Sequence, residues 1–201
     1  MNLPAERLIN DIYNKIKTVI LSWESGVVDD IYVISLFIYD FNDDPRFPTI
    51  TLGYNTLTQY KESINKASDE KEAKWNYAFH LQNEELRYGF KMEQVLILDW
   101  EIKNKLYFDL PKIDDPCQYA NKLDELTEEK EITKHFVYDI VVRVVQKLFV
   151  NNIIKNQFNH NIPILIHELE YYGLIAEQNR IANPDGVVDE FIKWIYSNRC
   201  Y

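Results

Sequence analysis

The sequence predicts an α+β protein in which an antiparallel β-sheet packs against several α-helices, in a single domain over residues 1–201. Three observations lead there. A first helical segment is followed by two apolar runs joined by a turn, which is not the strand–helix alternation of a parallel α/β sheet. Hydrophobic residues make up 46% of the chain and aromatics 14%, enough to bury a core without disulfides or metal. Only 5 glycines occur, none beside another, where average usage of roughly 7% would supply about 14. Rossmann and P-loop folds use glycine where backbone approaches phosphate, so that scarcity argues against both.

The first helix is expected from Pro4 to Trp23. Proline suits the first turn, and Leu8, Ile9, Ile12, Tyr13, Ile16, Val19, Ile20 and Trp23 recur at helical spacing. Ser25-Gly26 is the expected stop. Asp30 to Asp40 reads as a strand with Ile31, Val33, Ser35, Phe37 and Tyr39 on one face and Tyr32, Ile34, Leu36 and Ile38 on the other. Two apolar faces place it centrally in its sheet. The turn FNDDPRFP leads into a second strand, Thr49 to Tyr54, antiparallel to the first. Residues 57–85 turn helical, with a break at Ser68-Asp69 where Asp69 and Glu72 form a capping box. Residues 95–108 fit a buried strand or a helix equally well. LPKIDDPC at 110–117 reads as a linker. Thr127 to Gln157 is expected to be one long helix with two buried rows. The first is Ile132, Phe136, Ile140, Val144 and Leu148, and the second is Val137, Val141, Val145 and Phe149. Residues 162–172 read as a strand with Ile162, Ile164 and Ile166 on one face, and a closing helix is expected from Asn183-Pro184.

Asp and Glu number 32 against 22 Lys and Arg, a net charge of −10. Such a surface repels phosphate, which disfavours DNA and RNA and favours a basic partner, although many acidic proteins have none. The N-terminus lacks the apolar core of a signal peptide, and no run is long enough to span a membrane. Cys117 and Cys200 fit neither a disulfide framework nor a metal-site spacing. The cytoplasm is the expected compartment, with no membrane association.

No catalytic or cofactor motif stands out, and neither a cofactor nor a metal is expected. Asp40, Asn42 and Asp44 match the first positions of a calcium loop. Pro45 then stands where the loop needs glycine and Thr51 where it needs a bidentate glutamate. His167-Glu168 begins like a zinc-protease helix, but Tyr171 occupies the second histidine's place. On a strand the two side chains point to opposite faces, leaving His167 as a structural histidine at a sheet edge. His80, His135 and His160 are isolated in sequence. Asp99-x-Glu101-x-Lys103 resembles the core of one nuclease superfamily, whose substrate requires a basic surface that this chain lacks. Fourteen tyrosines are many, and Tyr171-Tyr172 beside Glu168 and Glu170 sets aromatic area next to negative charge. Binding surfaces favour that combination; equally, one of the pair can be core and the other a half-exposed edge residue.

Three segments carry a family resemblance: TLGYNT (51–56), AKWNYAFH (73–80) and IHELEYYGLIAEQNRIANP (166–184). In this order, after an N-terminal helix and strand, the chain resembles a bacterial family of uncharacterised α+β proteins. Some relatives of that family are suspected immunity proteins of polymorphic toxin systems. The resemblance implies a non-enzymatic protein that binds and neutralises a cognate toxin, often a nuclease, and it assigns no residue a role. Acidic inhibitors of basic nucleases gain association rate from electrostatic steering. The residues expected to meet such a partner are the Asp40, Asp43, Asp44 turn and the Glu168, Glu170, Tyr171, Tyr172 stretch. The alternatives are a metal-dependent hydrolase whose site assembles only in the fold, and a homo-oligomeric scaffold.

Overall fold

The structure is a computed structural model and describes residues 3–197. Helix α1 (Leu3–Ser22) opens the chain and buries Leu8, Ile9, Ile12, Tyr13, Ile16 and Ile20, the face its spacing marks out. A single turn, α2 (Ser25–Val28), occupies the expected stop. Strands β1 (Ile31–Asp40) and β2 (Pro48–Thr56) pair antiparallel, with Leu36 opposite Leu52. The short β3 (Leu86–Tyr88) adds antiparallel to β2, and β4 (Ile164–His167) adds to the other side of β1. The order β3-β2-β1-β4 makes β1 central, as its two apolar faces require. The class is α+β, but the sheet is mixed, because β4 runs parallel to β1. A parallel neighbour needs a long crossover, and the helices between β2 and β4 provide it.

A bulge between Ile31 and Val33 interrupts the simple alternation of β1. It turns Ile31 toward the same core as Ile34, and Tyr32 toward the core that holds Val33. Between β2 and β3 lie α3 (Leu57–Ser63) and α4 (Glu70–Trp75). Asp69 caps α4 by accepting from the backbone N–H groups of Lys71 and Glu72, both at 2.8 Å. The Glu72 carboxylate reaches back to the Ser68 N–H at 2.7 Å, one residue earlier than a capping box predicts. Helix α5 (Met92–Asn104) resolves the ambiguous stretch.

Helix α6 (Pro116–Lys130) starts on a proline with Asp115 as its cap, and buries no residue. The single helix expected over Thr127–Gln157 is instead broken twice, at Glu131 (φ 44°) and Asn152 (φ 56°), both left-handed. Between the breaks run α7 (Ile132–His135), a π-helical segment (Phe136–Val141) and α8 (Val142–Val150); α9 (Ile153–Phe158) follows. Of the two expected rows only Phe149 is not fully buried. The strand expected over 162–172 ends at His167. The chain then enters α10 (Gly173–Ala182), which the sequence reading did not foresee. The closing helix α11 (Asp189–Ser197) starts after a turn at Pro184–Val187 rather than at Asn183. Cys117 is exposed and unbridged, and Cys200 lies outside the described residues.

Each face of the sheet carries its own core. On one, Ile34, Leu36, Ile38, Ile50, Leu52, Ile164 and Ile166 meet α1, α5 and the α7–α9 run. On the other, Val33 and Leu165 meet Trp75, Ile175, Phe191, Ile192, Trp194 and Ile195. The outer edge of β4 is closed by side chains. The Asn179 amide accepts from the Ile166 N–H at 2.8 Å and donates to the Ile166 carbonyl at 2.7 Å. Asn183 does the same for Ile164, both bonds at 2.9 Å. Four residues of helix rise about 6 Å and two residues of strand about 6.6 Å, so asparagines four apart match successive outward-facing strand residues. The pair completes the edge as another strand would, and leaves nothing there for a foreign strand to pair with.

Candidate functional site

Because β1 and β4 run parallel, both end on one rim of the sheet. In the register Phe37↔His167, strand alternation sends Phe37 and His167 to one face and Ile38, Asp40 and Glu168 to the other. Asp40, the last residue of β1, and Glu168, the first after β4, therefore face a common hollow of about 320 Å³. The hollow is completed by Glu131, Thr133, Lys134, Val137 and Tyr138 from the broken helix, by Thr127 of α6, and by Tyr172, Leu174 and Gln178. The π-helical segment supplies Val137 and Tyr138, and such insertions are frequent at functional sites.

One Asp40 oxygen accepts from the Thr133 hydroxyl at 2.7 Å. Burial raises the Asp40 carboxyl above its ordinary range; the Thr133 bond opposes this, and Asp44 and Asp43 add to it. Burial also raises the Glu168 carboxyl, with Asp40 and Glu170 pushing the same way. The Tyr172 hydroxyl donates to Glu168 over a long 3.4 Å. Burial and the negative Glu168 lift that phenol to about 12. Lys134 is held by Glu131 at 2.7 Å. Among the described residues, Asp40, Glu168 and Glu170 have no cationic side chain paired with them.

The residues singled out from sequence divide. Asp40, Glu168, Glu170 and Tyr172 come together along this rim. Asp43 sits at the exposed tip of the turn with φ 56°, next to Asn42 at φ 54°. Asp44 is committed elsewhere: it accepts from Arg46 Nε at 2.8 Å and Nη2 at 2.6 Å, and these bonds hold its carboxyl below the usual range. Tyr171 turns inward. Its hydroxyl accepts from the Tyr77 N–H at 2.9 Å, and its ring meets Trp194 edge-on at 5.0 Å. Tyr171 is thus partly buried against the core and Tyr172 is the exposed one.

His167 is 1% exposed and Ser35 2%. The Ser35 Oγ lies 2.7 Å from His167 Nε2 and the Glu168 carbonyl 3.0 Å from Nδ1, so the carbonyl fixes the proton on Nδ1 and the serine donates to Nε2. That is the hydrogen bonding of a base-activated hydroxyl, but Tyr77 and Tyr171 roof it and no substrate reaches it. Burial lowers the His167 imidazole to about 4. His80 is lowered to about 4 by the same cause, and its one ring bond runs from Nε2 to the Lys74 carbonyl at 3.0 Å. The Asp99-x-Glu101-x-Lys103 triplet falls on α5, with Glu101 fully buried and its two neighbours exposed, so the three do not converge. Among the described residues no three His, Cys, Asp or Glu side chains form a group that could hold a metal ion. No described helix is long and apolar enough to cross a membrane.

Thr133, Tyr138, Glu131 and the rim aromatics Phe37, Tyr39 and Tyr77 were not reached from sequence. The break at Glu131 carries no glycine or proline, and only the fold brings residues 40, 133 and 168 together. Comparison of the chain with protein-family models, curated proteins and solved structures finds no match.

Proposed function

We propose that the protein is a non-enzymatic, cytoplasmic binding protein for a basic protein partner, acting as an immunity protein that neutralises a cognate toxin. The observation that carries this reading is the set of uncompensated carboxylates along one rim: Asp40 and Glu168 line the hollow with Tyr172, and the exposed Glu170 adjoins it. A carboxylate that is half-buried without a cation sits in an unfavourable place until a Lys or Arg arrives, and charge-assisted bonds to such groups are strong. Because the carboxyls of Asp40 and Glu168 are raised, they take up protons at higher pH than ordinary Asp and Glu. Affinity for a cationic partner therefore fades earlier on acidification than it would at ordinary carboxylates.

The test is affinity capture from the native host, followed by measurement with the purified partner. The expected result is one stoichiometric basic protein, toxic when expressed alone, whose binding is weakened in Asp40→Asn/Glu168→Gln/Glu170→Lys while the variant keeps its circular dichroism. Undiminished binding by that variant overturns the assignment. The second reading, metal-dependent hydrolysis, is favoured by two raised carboxyls facing one hollow. Melting in EDTA against Mn²⁺ or Zn²⁺ separates the two, since a metal at 100 times its dissociation constant adds about 2.7 kcal/mol.

A further inference from the structure

Helices cover the second sheet face only over its Val33 and Leu165 end. Beyond them, toward the rim, Phe37 and Tyr39 are half-buried, and among the described residues only the short 3₁₀ turn Tyr77–Phe79 borders them there. Tyr39, Phe37 and Tyr77 form a layer of near-parallel rings. The Tyr39–Phe37 centroids are 5.4 Å apart at 19° and the Phe37–Tyr77 centroids 5.3 Å apart at 15°. With Leu169, which is 75% exposed, they line a basin of about 500 Å³. The basin continues over the rim: a second hollow of about 520 Å³ shares Phe37, Tyr39 and Leu169 with it, and shares Asp40, Glu168 and Tyr172 with the acid hollow. The two ends differ in charge. Arg87 at the basin is neutralised by Glu84 at 2.5 Å, whereas the other end carries Asp40, Glu168 and Glu170 uncompensated.

The geometry points to a single trough that takes an extended segment of the basic partner, with an arginine at the acid end and an aromatic side chain in the basin. The inference rests on the proposed binding role and adds the chemistry of the segment. Arginine suits the acid end because its planar fork pairs with two carboxylates at once. An aromatic side chain suits the basin because its edge or face meets a ready layer of rings. Rings of this kind also stack nucleic-acid bases, but three bare carboxylates on the same path repel a phosphate backbone.

The test is amide NMR on the full-length ¹⁵N-labelled protein with N-acetyltryptophanamide, N-acetylargininamide, the linked peptides Ac-Arg-(Gly)n-Trp-NH₂ and oligothymidylate. The expected result is that the tryptophan probe shifts Phe37, Tyr39, Tyr77 and Leu169 and the arginine probe shifts Asp40 and Glu168. At least one linked peptide then binds about tenfold tighter than either probe. Leu169→Ser weakens the tryptophan response alone, and Glu168→Gln the arginine response alone. Shifts from the arginine probe with none in the basin overturn the inference and leave the acid-site reading standing. Basin shifts with no arginine response overturn both. Linked peptides no tighter than the single probes, or tighter binding of oligothymidylate, overturn the single-trough arrangement.

Discussion

Glu101 on α5 has no exposed surface, and neither of its carboxyl oxygens has a hydrogen-bond partner among the described residues. Burial pushes its carboxyl from 4.5 up to about 8, with the Arg46 guanidinium pulling it down and Asp44 pushing it up. The folded chain thus keeps a proton that the unfolded chain releases above pH 4.5. Its contribution to stability is fully present below pH 4.5 and is lost as pH rises toward 8. At about 1.4 kcal/mol per pH unit, the loss between 4.5 and 7 comes to about 3 kcal/mol. Glu101→Gln keeps the shape and cannot ionise. The variant is therefore more stable than the parent by about 3 kcal/mol at pH 7 and nearly equal to it at pH 4.5. In a chain of this size that gain is roughly 6–12 °C of melting temperature. Urea unfolding of both proteins from pH 4.5 to 8, followed by circular dichroism, measures the gap directly. A gap that stays constant across that range, or a variant that is less stable at pH 7, refutes the reasoning.

Three further outcomes are expected. Asn179→Ala strips the Ile166 N–H of its only side-chain acceptor and should cost about 2–4 kcal/mol in urea unfolding; a change below about 0.5 kcal/mol would mean that water replaces the asparagine. His80 and His167, both lowered from 6.5 to about 4, should keep neutral-imidazole NMR shifts down to pH 5. Their contribution to stability is fully present above pH 6.5 and is lost as pH falls toward 4, opposite in sign to that of Glu101, and ordinary titration near 6.5 would contradict the burial argument. Helix α6 buries no residue, so its amides should exchange with deuterium by local opening, well before those of α8; equal protection of the two would show that α6 opens only with the whole domain.

Periodicity made the fold class, the first helix, the central hairpin and both buried rows of the broken helix legible, because burial on one face leaves its spacing in the sequence whether or not the axis is continuous. The breaks themselves were not legible. Glu131 and Asn152 take left-handed backbone with no glycine, and a π-helical turn preserves the apolar rows while adding a residue to the turn. Helix α10 escaped because its inward face carries Gln178 and Asn179, followed by Asn183 at its C-terminal cap, polar residues buried to serve the edge of β4. An asparagine pair at spacing four just after a short β-branched run was the available signal. At the candidate site, Asp40 and Glu168 were legible as acids beside aromatics. Their meeting was not, since it follows from the parallel placement of β4, which local pattern does not encode. The inward turn of Tyr171 and the capture of Asp44 by Arg46 likewise depend on neighbours that only the fold, or two residues of turn, bring into reach.

The central claim is that the rim carboxylates receive a basic protein. The most direct measurement is the association rate of the captured partner with the parent protein and with Asp40→Asn/Glu168→Gln/Glu170→Lys, across a range of salt concentrations. Rim charges act chiefly on encounter, so the account predicts slower association and a flatter salt dependence in the variant, with the two proteins converging at high salt. Identical rates and identical salt slopes, from a variant that melts like the parent, would contradict it.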